Sequence, residues 1–136
     1  MPASSVGVML FDRSGRIFLQ FRDAHVRVEP FTWGFWGGRI DTVDESPVEA
    51  ARREVHEELG LALNAEMLEI LHQRTGSDGQ TSHLLRCTHR IEWGDVCVAE
   101  GAGAGFFAPS QLLSLSLHKR VRAYAETMPS LLQPPE

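Results

Sequence analysis

The chain has 136 residues, a formal net charge of −5 at neutral pH and 43% hydrophobic residues. That length suits a single domain, residues 1–136, with a core of its own. The acid excess argues against general nucleic-acid binding, which relies on Lys and Arg to displace counterions. A protein of this sign that handles phosphate anions also needs metal ions to bridge the repulsion.

No apolar run reaches the length of a membrane span. Asp12, Arg13 and Arg16 interrupt the first apolar segment, so the expectation is a chain without a signal peptide. Cys87 and Cys97 lack a Cys-x-x-Cys spacing, which points to reduced thiols and a cytoplasmic setting.

In chain order, residues 1–5 read as a frayed lead-in, and Val6 to Phe11 as an apolar strand. Asp12-Arg13-Ser14-Gly15 has turn character. Arg16 to Arg22 then alternates, with Ile17, Leu19 and Phe21 on one side and Phe18, Gln20 and Arg22 on the other, so the pair reads as a β-hairpin. A polar loop, 23–30, carries Arg27. The aromatic patch Phe31-Thr32-Trp33-Gly34-Phe35-Trp36 leads into Gly37-Gly38. Its four aromatics either stack on a nucleobase or pack under the loop; Trp36 is the substrate-binding candidate.

Residues 46–60 carry the marks of a helix. Ser46 is a good N-cap, Pro47 suits the first helical position, Glu49 completes a Ser-x-x-Glu capping box and Gly60 is a stop signal. Val48, Ala51, Val55 and Leu59 form an apolar stripe. Glu54, Glu57 and Glu58 share a second face about 110° away. Such a face is either a solvated surface or a set of oxygen ligands for a hard divalent cation such as Mg²⁺.

Downstream, Met67 to Thr75 and Thr81 to Glu92 read as two strands joined by the turn Gly76-Ser77-Asp78-Gly79-Gln80. Trp93-Gly94-Asp95 is a break. Gly101 to Gly105 reads as a mobile loop without a phosphate-binding Gly motif. Phe106-Phe107-Ala108 is a short strand, Pro109 opens a helical turn and Leu117 to Met128 is the last helix. Residues 130–136 read as a loosely ordered tail.

The stretch from Gly38 to Leu61 resembles the signature of the Nudix hydrolase family. That signature runs Gly, five residues, Glu, seven residues, then Arg-Glu-U-x-Glu-Glu-x-Gly-U, where U is a bulky aliphatic. From Glu45 through Arg53, Glu54, Val55, Glu57, Glu58, Gly60 and Leu61 each position is filled. Six residues instead of five separate Gly38 from Glu45, which points to one extra residue within 41–44.

The resemblance implies an α/β (α+β) fold with a mixed β-sheet sandwiched between helices. It implies hydrolysis of a diphosphate bond in a nucleoside diphosphate linked to another group, with Mg²⁺ as cofactor and Mn²⁺ as a substitute. Carried over by position, Glu57 and Glu58 are metal ligands, Glu54 is a ligand or the general base, and the Gly38 carbonyl is a further ligand. Glu45 and Arg53 form a pair that supports the site. Glu100 lies where some members place another acid that serves as ligand or base; otherwise it is an ordinary loop acid. Arg39, Arg22 and Arg27 are candidates for substrate phosphates, with Arg39 first because it adjoins the loop.

Two other readings compete. An isopentenyl-diphosphate-isomerase type needs a Cys upstream of the signature, and none precedes Cys87. A silent nucleotide-binding sensor on the same fold would have lost signature carboxylates, and all of them stand here. No Pro or Tyr in the stretch just downstream of Leu61 marks the ADP-ribose or dinucleoside-polyphosphate types, and the short chain favours nucleoside triphosphates or nucleotide sugars. A homodimer is left open.

Overall fold

The computed structural model describes residues 4–41 and 45–136. The expected extra loop residue falls largely on 42–44, outside the described residues. Seven strands form one mixed sheet: β1 (Ser4–Phe11), β2 (Ile17–Phe21), β3 (Trp33–Gly34), β4 (Trp36–Arg39), β5 (Leu68–Thr75), β6 (Thr81–Cys87) and β7 (Gly103–Phe107). Helix α1 (Pro47–Leu59) covers one face and α2 (Lys119–Thr127) the other. The sandwich follows from β1, whose side chains alternate: Val6, Val8 and Leu10 pack with Val55 and Leu59 of α1, while Met9 and Phe11 pack with Val121 and Tyr124 of α2.

The opening hairpin is built as its residues dictate. Asp12 is buried, and its carboxylate accepts the Ser14 and Arg16 backbone N–H groups and the Arg16 guanidinium. Gly15 supplies the positive φ of the turn. Phe18 then faces the α1 core, with Ile17 and Leu19 in the α2 core. Helix α1 begins with Ser46 Oγ accepting the Glu49 N–H at 3.1 Å, a cap worth about 1 kcal/mol. It ends at Gly60 in the left-handed region.

One edge of β1 forks, and the fork positions everything that follows. Leu10 and Phe11 pair with β2, whereas Ser5 to Val8 pair with β4. The opposite edge of β1 runs parallel to β6. β4 therefore lays Gly37 and Gly38 against Gly7 and Val6, between the sheet and α1. A Cβ on Gly37 would stand 2.1 Å from the Val6 carbonyl oxygen, and φ there is 132°. Only glycine fits.

Several expected boundaries move. Ser4 and Ser5 are not frayed; they pair with β6 and Ser5 also with Arg39. β6 stops at Cys87, because Thr88 N–H turns to the Met67 carbonyl and Ile91 N–H to that of Phe11. The glycines expected to form a mobile loop belong in part to β7, which pairs with the whole of β2. Backbone bonding at a sheet edge needs no side chains, and Gly105 leaves room for the Trp33 and Phe107 rings, 4.7 Å apart. α2 starts at Lys119 because Leu117 bridges to Trp33.

The C-terminal residues are held, contrary to the expected loose tail. Leu132 is buried in the α2 core, Arg86 donates to the Gln133 carbonyl at 3.1 Å and Arg90 donates to that of Pro135. Among the described residues no helix is long and apolar enough to cross a membrane.

Candidate active site

The acid face of α1 divides into three environments. Glu58 turns inward: it is 4% exposed, and its Oε1 accepts the Gly37 N–H at 2.8 Å. Glu54 is partly covered and lies against Gly38, where an added Cβ would meet its carboxylate at 2.8 Å. Glu57 faces outward, 3.6 Å from Arg53. The two glycines let the loop backbone approach the Glu54 and Glu58 carboxylates with nothing between.

Arg53 ties this arrangement together. Its guanidinium forks onto both oxygens of Glu45, at 2.8 and 3.0 Å. It also donates to Glu54 Oε1 at 2.9 Å and to the Arg39 carbonyl at 3.0 Å. Five donors in one plane make this multiple grip available to Arg and not to Lys. The hydrogen bonds from Arg53 hold the Glu45 carboxyl below its ordinary range.

Glu100 is brought to the same place by backbone bonds. The last turn of α1 leaves carbonyls unpaired, and the segment after Asp95 takes them: Cys97 N–H bonds to Leu59 and Ala99 N–H to Glu58. Two residues on, Ala102 N–H bonds to the Phe21 carbonyl. Gly101, at φ 88°, fits tightly against Gln20 and Phe21. Glu100 is thus pinned on both sides, and it lines a cavity with Glu58, Gly37 and Gln20.

The electrostatics reflect this crowding. Burial pushes the Glu58 carboxyl up to about 8, opposed by the Gly37 hydrogen bond and reinforced by Glu54 and by Glu100, which shares a hydrogen bond with it. Glu54 is also raised, chiefly by burial, with Arg53 pulling it down and Glu57 and Glu100 pushing it up. The site therefore gathers more carboxylate than one arginine neutralises. Among the described residues, no three His, Cys, Asp or Glu side chains already converge as a metal cage; Glu57 is turned to Arg53 instead.

The substrate candidates separate on inspection. Trp36 is not a stacking platform: it is wholly buried, stacked on Phe18 at 5.2 Å, with its indole N–H on the Phe18 carbonyl. Its place opposite Val8 on the core side of β4 requires this. The Arg22 guanidinium is engaged by the Glu29 and Val28 carbonyls, although its side chain still lines the cavities on either side of the Gly37-Gly38 loop. Arg27 is exposed on the loop and, among the described residues, makes no ion pair. Arg39 is exposed at the mouth of a cavity with Gly38.

Sequence reasoning missed His118, Lys119 and Arg120, which face that same cavity. A signal existed: a basic first turn opposes the helix dipole and is uncommon without cause. It also missed Glu29, a non-glycine residue at φ 49° that caps α2 by accepting the Lys119 N–H at 3.0 Å.

A family model described as the NUDIX domain matches residues 1–130. No curated protein matches the chain. Among solved structures, one from a study of MutT from Aliivibrio salmonicida and Vibrio cholerae aligns over 96% of this chain and 99% of its own at 18% identity, with a TM-score of 0.78. A MutT NUDIX hydrolase from Burkholderia pseudomallei is 28% identical over 94% of this chain and 98% of its own, with a TM-score of 0.72. The NUDIX domain of Shewanella oneidensis NrtR, complexed with ADP ribose, is 18% identical over 97% of this chain and 89% of its own, with a TM-score of 0.71.

Proposed function

The chain belongs to the Nudix family of pyrophosphohydrolases, and from its site we propose that it cleaves the diphosphate of a nucleoside triphosphate or nucleotide sugar in a Mg²⁺-dependent reaction. Mn²⁺ would substitute. The observation that carries the reading is the pinning of Glu100 beside Glu58, which adds a carboxylate from outside the signature to those of α1.

Nudix hydrolases generally use divalent metal ions. The donor set here suits one: carboxylate oxygens with a nearby backbone carbonyl are hard ligands, and burial, with neighbouring carboxylates, raises the Glu54 and Glu58 carboxyls, which a bound cation would offset. Glu54, Glu57 and Glu58, with the Gly38 carbonyl, would hold the ion. Once bound, it would neutralise phosphate oxygens and lower the pKa of a coordinated water.

The remaining work falls to the chain. Water attacks phosphorus, the P–O anhydride bond breaks, and the leaving phosphate keeps the electron pair. The proton released by the water passes to a carboxylate, and Glu54 and Glu100 are the groups disposed to accept it. Glu58 keeps the Gly37 backbone in place, and Arg53 holds Glu54 and the loop carbonyl of Arg39 in register. Positioning of this kind is most of what phosphoryl transfer asks of a protein.

The test is hydrolysis of a panel of nucleoside triphosphates, nucleotide sugars, ADP-ribose and dinucleoside polyphosphates, with and without Mg²⁺, and with Glu57→Gln as control. Metal-dependent release from one class, lost in the exposed and foldable variant, is expected. Undiminished turnover by Glu57→Gln would overturn the site assignment.

A further inference from the structure

The thirteen Lys and Arg residues sort by what holds them. Arg16, Arg52, Arg53 and Arg86 pair with carboxylates. Arg22, Arg90 and Arg122 donate to backbone carbonyls. Among the described residues, six have no ion pair or side-chain hydrogen bond: Arg13 and Arg27, which line neither of the cavities below, and Arg39, Arg74, Lys119 and Arg120. The last four line adjoining cavities of about 410 and 480 Å³, which share Lys119, Arg120 and Gln80. The first opens at Gly38 and the second reaches Tyr124 and the Gly76 turn.

The crowding is electrostatic as well as spatial. Arg74 and Arg120 both act on the Tyr124 hydroxyl, and Arg22, Lys119 and Arg120 all act on His118. Among the described residues, Asp78 at the far rim is the one carboxylate lining either cavity, and its Oδ1 is occupied by the Gln80 N–H. The α2 terminus is not itself the attraction: the Lys119 N–H is taken by Glu29 and the Arg120 N–H by His118 Nδ1. What remains is a strip of unpaired side-chain cations in a chain whose net charge is −5. Like charges held together without partners destabilise the fold, and an anionic ligand removes that cost.

We propose that this strip is a subsite for a second phosphate group of the substrate, separate from the diphosphate cleaved at the carboxylates. The inference rests on the pyrophosphohydrolase reading and narrows it. The substrate class becomes a nucleoside-diphosphate compound that bears either a phosphate ester on its ribose or a longer phosphate chain. Arg120 and Lys119 sit at the junction of the two cavities, Arg39 at the loop end and Arg74 at the far end.

Two matched pairs distinguish the sources: coenzyme A against its dephospho form for the ester, and a nucleoside tetraphosphate against the triphosphate for the chain. Rates are measured with Mg²⁺ for the wild type, for Lys119→Gln/Arg120→Gln and, away from the helix start, for Arg74→Gln. The expected result is at least a tenfold preference in kcat/KM for the phosphate-richer member of one pair, residing in KM and shrinking severalfold or more in both variants. Equal rates within both pairs, or a preference that survives in both variants, would overturn the proposal. Titration of inorganic pyrophosphate into metal-free protein reads the strip without turnover. Weakening of tenfold or more in the double variant supports it, and unchanged binding refutes it. If nothing in the pairs is hydrolysed, the reaction reading fails alone and the titration still decides the subsite.

Discussion

Acidification should withdraw the stability that one imidazole contributes. His118 caps α2 with Nδ1, which accepts the Arg120 N–H at 3.1 Å. The neutral ring therefore carries its proton on Nε2, 3.6 Å from Glu29 Oε2, a buried oxygen without a hydrogen-bond partner. A second proton has to go onto Nδ1, which breaks the cap. Burial, with Arg22, Arg120 and Lys119 nearby, pushes the ring down to about 4, and Glu29 only partly opposes this.

Because the folded value lies below the ordinary 6.5, the unfolded chain takes up the proton first. The stability His118 contributes is complete above 6.5 and is lost as pH falls from 6.5 toward 4. Linkage over pH 7.5 to 5 gives about 2 kcal/mol, reduced to about 1–2 kcal/mol by the solvent that reaches the ring. The assay is urea unfolding at intervals across that range, comparing wild type with His118→Asn. Asn is itself a strong N-cap and does not titrate. The wild type should lose about 1–2 kcal/mol more than the variant, since the other titrating groups are common to both. Parallel stability curves would refute the reasoning.

Three further outcomes follow from the geometry. Gly37→Ala should destabilise by about 3 kcal/mol or more in denaturant unfolding, because a Cβ 2.1 Å from the Val6 oxygen forces β4 off β1 and breaks the bond to Glu58. Arg53→Lys keeps the charge but cannot fork onto Glu45 while holding the Arg39 carbonyl, so turnover or metal affinity should fall on the order of 10–100-fold, with the Mg²⁺ dependence of rate as the readout. Leu132→Ala should cost about 2–4 kcal/mol by thermal or denaturant unfolding, since its side chain fills the α2 core; a negligible loss would restore the loose-tail expectation.

The readable parts of the molecule were those with local causes. Ser46, Pro47 and Gly60 mark both ends of α1 by side-chain and backbone chemistry within a few residues. Asp12 and Gly15 write the first turn in the same way. What escaped depends on distant partners. Gly103 to Gly105 have poor strand propensity and become strand because the free edge of β2 requires pairing. Trp36 reads either as a stacking platform or as core packing under the loop, and only the fork in β1 decides for the core. Residues 130–136 read as a loose terminal tail, yet Arg86 and Arg90 on a distant segment hold the Gln133 and Pro135 carbonyls.

The fork also explains why the two charged regions are neighbours without cancelling. β4 leaves β1 with Gly37 and Gly38 in the gap. On one side of them stand Glu58 and Glu100 with Gln20, and on the other stand Arg39, Lys119 and Arg120. Salt bridges across the gap would have satisfied both sets and removed the field. Among the described residues none forms, because Glu58 is bound to Gly37 and the cations project from α2 and the outer end of β4. A diphosphate lying over the glycines would be bordered by carboxylates suited to a metal ion and by cations suited to phosphate. The same two glycines that allow close approach of the α1 carboxylates thus keep the opposite charges apart.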